Sequence, residues 1–175
     1  MKHARLQKLT MAALFSALVY VATNIIHIPV PSTNGYLNLG DGVILLGAFL
    51  LGPWYGAAAA GLGSMLADLL LGYAAYAPGT FVIKALVAVL AASLYRTFRE
   101  KAGVTASVLI AGAAAECWMI AGYFGYESFI LGYGPAAAAG MAGNVVQGAA
   151  GLALGAVLYQ SLYHIPSVRK AVCVF

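Results

Sequence analysis

From Leu9 to Tyr163 the chain is a succession of apolar runs, interrupted by short loops rather than by any polar domain. A helix needs about 20 apolar residues to cross the hydrocarbon of a bilayer, so six such runs would use about 120 positions. Of 175 residues, 63% are hydrophobic and 8% charged, with a mean hydropathy of +0.90. A soluble domain carries about a quarter charged residues, so this chain has too little polar surface to hold a compact particle in water. A soluble enzyme, a nucleic-acid binder and a disordered chain are excluded together. The fold class is therefore all-α integral membrane protein: one six-helix domain over 1–175, with short basic ends at 1–8 and 166–175. No cleaved signal peptide is expected, because the basic start runs directly into a long apolar segment.

The runs read as Leu9 to Ile28, Val43 to Leu51, Trp54 to Tyr73, Thr80 to Tyr95, Thr105 to Tyr126 and Ala136 to Tyr163. The first stops at the turn-forming loop Pro29 to Gly35, and the second at Gly52-Pro53. That second run is too short to cross alone at 1.5 Å per residue, unless its polar start also lies within the membrane. Six spans place both termini on one side. Lys2, Arg5 and Lys8, then Arg96, Arg99 and Lys101, then Arg169 and Lys170 all fall on that side, and Lys84 alone lies elsewhere. The positive-inside rule makes that face cytoplasmic, and the basic residues read as topology anchors. A multi-pass location in the cell membrane follows.

With that orientation, the remaining polar groups lie in the outer half or near the midplane. Asp41 starts span two, Asp68 precedes the outer end of span three, and Lys84 sits one turn into span four. Glu116 is near the middle of span five, while Asn144 and Gln147 share a face of span six. An ionisable group in hydrocarbon costs a few kcal/mol even on lenient scales, so each must face a partner or a wet cavity. Asp68 and Lys84 are equally readable as a buried pair or as ligand-facing groups. Glu116, with no second cation at its depth, is expected to face a ligand. Asn144 and Gln147 would make a hydrogen-bonding wall. Asp41, Asp68 and Lys84 would otherwise hold helices and loop in place.

Aromatic residues crowd the same side, among them Tyr36, Tyr73, Tyr76, Phe81, Trp118, Tyr123 and Tyr126. Trp54, His164 and His27 read as interface belt. Tyr36, in the loop after span one, is the candidate lid, and Tyr36, Trp118 or Tyr123 would cover a ring face. The expected pocket is walled by spans four to six and closed by the loop from Pro31 to Leu37. Flat aromatic walls with a few hydrogen-bonding groups suit a small planar polar ligand. Asn144, Gly148, Gly151 and Gly155 form a smooth stripe suited to close packing inside the monomer. Ala13 and Ala17 make an A-x-x-x-A pair in the cytoplasmic half of span one.

No lysine is followed by Ser or Thr, so the chain has no P-loop, and neither H-E-x-x-H nor G-x-S-x-G occurs. Cys117 and Cys173 make no metal spacing. No intramembrane enzyme, metal site or cofactor is expected.

The run Asn38-Leu39-Gly40-Asp41, Leu50-Leu51-Gly52-Pro53, Gly61-Leu62-Gly63-Ser64, Ala67-Asp68-Leu69, Gly72-Tyr73 and Ala77-Pro78-Gly79-Thr80-Phe81-Val82-Ile83-Lys84 resembles the substrate-binding S components of energy-coupling-factor vitamin transporters. Within these it looks most like the branch handling hydroxymethylpyrimidine and vitamin B6 compounds, related to the riboflavin group. The resemblance implies six helices and a vitamin site near the extracellular face under the loop after helix one. It also implies docking on a membrane coupling protein held by two cytoplasmic ATPases, so ATP would be used by partners only. The docking surface of such subunits includes an A-x-x-x-A motif on helix one, here Ala13 and Ala17, and transport involves toppling in the bilayer. Riboflavin or a queuosine precursor are alternative planar ligands. A self-sufficient carrier with Asp68, Glu116 and Lys84 as a proton relay would instead take up ligand without partners, and a structural adaptor would bind no vitamin.

Overall fold

The computed structural model of the chain describes residues 2–31, 33–166 and 168. Ser32 of the first loop, Arg169, Lys170 and Cys173 lie outside the described residues, as does most of the basic end at 166–175.

The polypeptide is helical almost throughout. Helix α1 spans Lys2–Ile25, α2 Gly40–Leu71, α3 Ala77–Gly125 and α4 Ala138–Tyr163. Each belongs to a stretch long and apolar enough to cross a membrane. Two of them are folded in half. Gly52 (φ 78°) in α2 and Gly103 (φ 76°) in α3 adopt a left-handed conformation that a side chain resists. A Cβ on Gly56 would stand 3.0 Å from Ala48 Cα, although eight residues of straight helix span about 12 Å. Likewise Tyr123 Oη reaches Thr80 Oγ1 at 3.1 Å across 43 residues. Residues 40–51 and 53–71, and 77–102 and 104–125, are therefore the arms of two helical hairpins, and with α1 and α4 they make six helical segments. The arm 40–51 begins at Gly40, so Asp41 lies inside it, yet it is only about 18 Å long.

The stretch after α1 is not the plain loop expected from Pro29 to Gly35. Helix α1 ends at Ile25 rather than Ile28, and strands β1 (His27–Val30) and β2 (Gly35–Asn38) form an antiparallel hairpin with Pro29 opposite Tyr36. The all-α expectation holds for the bundle and misses this two-stranded cap. Asn34, with φ 50°, helps close the turn, a conformation asparagine tolerates. The fifth run continues past its expected end at Tyr126 as a π-helical turn, Tyr126–Ile130, and a 3₁₀ turn, Gly134–Ala137, leads into α4.

The core is built from small residues at helix contacts, including Ala48, Ala59, Ala60, Ala88, Ala91, Ala111 and Ala115. Such contacts let backbones approach closely, which is how helices gain packing energy where lipid offers no hydrophobic drive. The glycine stripe of α4 packs inside the chain: a Cβ on Gly151 would lie 2.6 Å from Asp41 Cβ, and one on Gly155 3.0 Å from Leu45 Cβ. At the far end from the β-hairpin, Phe49, Tyr95 and Tyr159 stack with ring centroids 5.2 to 5.4 Å apart. Helix α1 buries Ala12, Phe15 and Val19 and exposes Leu9, Ala13, Leu14, Ala17, Leu18 and Val21 on its opposite face.

Candidate functional site

The β-hairpin lies over one end of the bundle and encloses a polar cavity there. Its walls come from Thr23 on α1, Ser64 and Asp68 on the second arm of α2, Thr80 and Lys84 on α3, and Asn144 and Gln147 on α4; Tyr36 and Asn38 close it from above. The expected wall of spans four to six is thus incomplete, because α1 and the arm 53–71 also contribute. Only about 30 Å³ is left unfilled, room for a water or two.

Two hydrogen-bonded systems organise the cavity. In the first, Lys84 Nζ donates to Asp41 Oδ1 at 2.5 Å, and Gln147 Nε2 donates to Asp41 Oδ2 at 2.7 Å. The Gln147 carbonyl in turn accepts from the backbone N–H of Asn38 at 2.9 Å. One buried carboxylate therefore ties α2, α3, α4 and the hairpin together. The alternative reading of an Asp68–Lys84 pair is replaced by this one: Lys84 chooses Asp41, whose two oxygens are then both used. In the second system, Tyr36 donates to Asp68 Oδ1 at 2.6 Å and packs on Tyr73 with ring centroids 4.6 Å apart. Burial, reinforced by the Asp68 carboxylate, pushes the Tyr36 phenol above its usual range, so it stays a donor.

The outer rim carries a group that the sequence reading missed. Glu127, on the π-helical turn, is 4% exposed and lines the cavity. Its Oε1 lies 3.1 Å from the Tyr76 hydroxyl, which also bonds the Thr33 carbonyl at 2.5 Å. Burial and then the Glu127 carboxylate raise the Tyr76 phenol above its ordinary value. Asp68 Oδ2 and Glu127 Oε2 are buried and have no hydrogen bond among the described residues. The one sequence signal for Glu127 was an acidic residue at the outer end of a span with no basic neighbour.

Six of the nine proposed ligand residues, Tyr36, Asp68, Lys84, Tyr123, Asn144 and Gln147, meet at this cavity. Asp41 stands directly behind Lys84 and Gln147. Glu116 is buried without a hydrogen bond among the described residues and packs on α4, where a Cβ at Gly148 would lie 3.3 Å from its Oε2; it is not a wall of the cavity. Trp118 is a correction: it is 37% exposed and outside the cavity. Helical spacing explains this, because Glu116, Met119 and Tyr123 share a face while a residue two positions on from Glu116 points away. Ala13 and Ala17 lie exposed on α1. Lysine, amide, carboxylates and phenols on an enclosed wall can hold a small polar ring by both edges and both faces.

Residues 3–164 match the family described as ECF-type riboflavin transporter, S component. The chain is 35% identical over 138 residues to an uncharacterized protein in gap 3'region of Pyrococcus woesei, covering 78% of this chain and 88% of that protein. It is 29% identical over 159 residues to the thiamine precursor transporter HmpT of Lactococcus lactis subsp. cremoris, covering 90% and 89%. Among solved structures, the S component of a bacterial ECF transporter superposes with a TM-score of 0.70 over 91% of this chain and 97% of the other, at 21% identity.

Proposed function

Because this chain belongs to the family of ECF-type transporter S components, which are transport subunits and not enzymes, we propose that it captures hydroxymethylpyrimidine or a closely similar vitamin B6 compound. The observation that carries this reading is the enclosed cavity in which Asp68 and Glu127 keep unbonded carboxylate oxygens. Buried acceptors without partners are costly, and an amino group on a heteroaromatic ring supplies the missing donors. Lys84 and Asn144 are placed to donate to a ring nitrogen or to a hydroxymethyl oxygen, and Tyr36 and Tyr123 offer their ring faces. The likeness to a thiamine precursor transporter over most of both chains favours the pyrimidine over the pyridine. A six-membered ring exceeds the space left in the closed cavity, so a ring that enters displaces Tyr36 and the hairpin above it. Asp41 and Glu116 act from behind as supports.

In this reading the chain is one multi-pass domain of the cell membrane, its six helical segments set in the bilayer, the short arm 40–51 reaching only part of the way across, with both basic ends in the cytoplasm. It docks through Ala13 and Ala17 on a membrane coupling protein, which two cytoplasmic ATPases drive; the chain itself uses no cofactor. Calorimetric titration of hydroxymethylpyrimidine, pyridoxine, pyridoxamine, pyridoxal and riboflavin tests the assignment. Hydroxymethylpyrimidine should bind tightest, and Glu127→Gln, Asp68→Asn or Asn144→Ala should weaken it by about tenfold or more. Unchanged binding in all three variants would place the ligand elsewhere.

A further inference from the structure

A second cavity, of about 530 Å³, opens at the other end of the bundle. It is lined by Phe49 and Gly52 at the bend of α2, and by Tyr95, Arg96, Arg99, Glu100 and Gly103 at the bend of α3. Arg99 is 19 residues along the same helical arm from Thr80, so about 28 Å separates this cavity from the one under the hairpin.

Its volume and its charge have identifiable causes. Ala48 and Ala92 on the walls and bare backbone at both glycine bends leave the space open; a Cβ at Gly103 would meet nothing within 4 Å. Arg96 and Arg99 are three apart and share a helix face. The Arg99 guanidinium lies against the rings of Tyr95 and Tyr163, at 6.0 and 5.9 Å, and donates to the Tyr163 hydroxyl at 3.3 Å. The Tyr95 hydroxyl is itself fixed by Tyr159 at 2.6 Å. An aromatic frame thus holds one guanidinium fork beside a second, with Glu100 as the only acidic side chain on the described wall.

We propose that this cavity binds a phosphate group, either the phosphodiester of a lipid headgroup or a soluble phosphate monoester, through Arg96 and Arg99. Planar guanidinium forks match phosphate oxygens two at a time, which a halide or a neutral sugar does not exploit. The volume falls within the range of small-molecule sites. The lipid source rests on the membrane orientation proposed above, which sets this end level with cytoplasmic headgroups; the phosphate chemistry does not depend on it.

The test is thermal stability of the full chain, delipidated in a maltoside detergent, titrated with each additive and compared with sodium chloride at the same ionic strength. The additives are phosphatidylglycerol, diacylglycerol with the same acyl chains, glycerol 3-phosphate and sodium chloride. Phosphatidylglycerol should raise the midpoint where diacylglycerol and chloride do not. Arg96→Gln and Arg99→Gln should each shift the half-effective concentration about tenfold upward. An equal response to glycerol 3-phosphate identifies a soluble monoester as the source, and a response to phosphatidylglycerol alone identifies the lipid. Arg96 is exposed, so Arg96→Gln keeps the test valid even where loss of Arg99 unfolds the chain, and vitamin titration at the outer cavity reports folding independently. Stabilisation by phosphate compounds no greater than by chloride, or a full response in Arg96→Gln, would overturn the proposal.

Discussion

Asp41 and Lys84 offer the sharpest quantitative test of how the bundle is held. Both are essentially without solvent contact, at 0% and 2% exposure, and they form a direct ion pair in the interior of the bundle. Removing one partner of a buried pair costs about 3–5 kcal/mol because the other charge is left uncompensated. Asp41→Asn removes the carboxylate bonded to the Lys84 ammonium, which keeps the Tyr123 ring at 5.3 Å and the more distant attraction of Asp68 and Glu116, so a loss within that range applies. Lys84→Met leaves Asp41 still accepting from Gln147 at 2.7 Å, which points to the lower end, about 3 kcal/mol. In the double variant a methionine of similar length faces an asparagine that keeps its bond to Gln147, and the loss should shrink to about 1–2 kcal/mol. At about 2–4 °C per kcal/mol for a chain of this size, the melting midpoint should fall by about 6–12 °C in Lys84→Met and recover most of that in the double variant. The assay is thermal unfolding in detergent without ligand, run as a double-mutant cycle. Additive losses, with the double variant the least stable of the three, would show that the two charges are not coupled and that the reasoning is wrong.

Four further outcomes follow from other contacts. Gly151→Ala should destabilise by about 1–3 kcal/mol, since the added methyl would sit 2.6 Å from Asp41 Cβ; an unchanged midpoint would refute the close approach of α4 and α2. Ala17→Trp, on the exposed face of α1, should abolish uptake in a reconstituted complex while leaving vitamin binding intact, and full uptake would mean the docking surface lies elsewhere. Cysteines engineered beside Lys101 and Ala75 should be labelled from the inside and the outside respectively; outside labelling at Lys101 would reverse the topology. The Tyr36 phenol titrates above the unfolded value of about 10, so the folded state holds that proton after the unfolded chain has lost it. Its contribution should therefore be constant below about pH 10 and lost above it, and the stability difference between the wild type and Tyr36→Phe should narrow only in that alkaline range.

The membrane character, the helical bundle and the small-residue packing of α4 were legible in the sequence because each depends on local chemistry. Apolar run length sets the spans, and the spacing Asn144, Gly148, Gly151, Gly155 sets a smooth face whatever it packs against. Gly52, followed by Pro53, also announced a break, since glycine permits the left-handed backbone that lets an arm reverse, whereas Gly103 showed itself as the second such bend only in the fold. Which polar groups meet was a different matter. Depth along each run placed Asp41, Asp68, Lys84 and Glu116 near one another, but a sequence fixes depth and not rotation. The relative rotation of α2 and α3 gave Lys84 to Asp41, left Asp68 to Tyr36, and turned Trp118 outward while Tyr123 faced the cavity. The β-hairpin, formed from only eight strand residues, carried too short a pattern to be told from a turn, and its strands are held by each other and by Gln147 109 positions away. Glu127 became a cavity residue only because the helix continued through a π turn and brought it beneath Thr33. What a residue's neighbours along the chain determine could be read from the sequence; what depends on the rotation and register of distant helices was decided only when they packed.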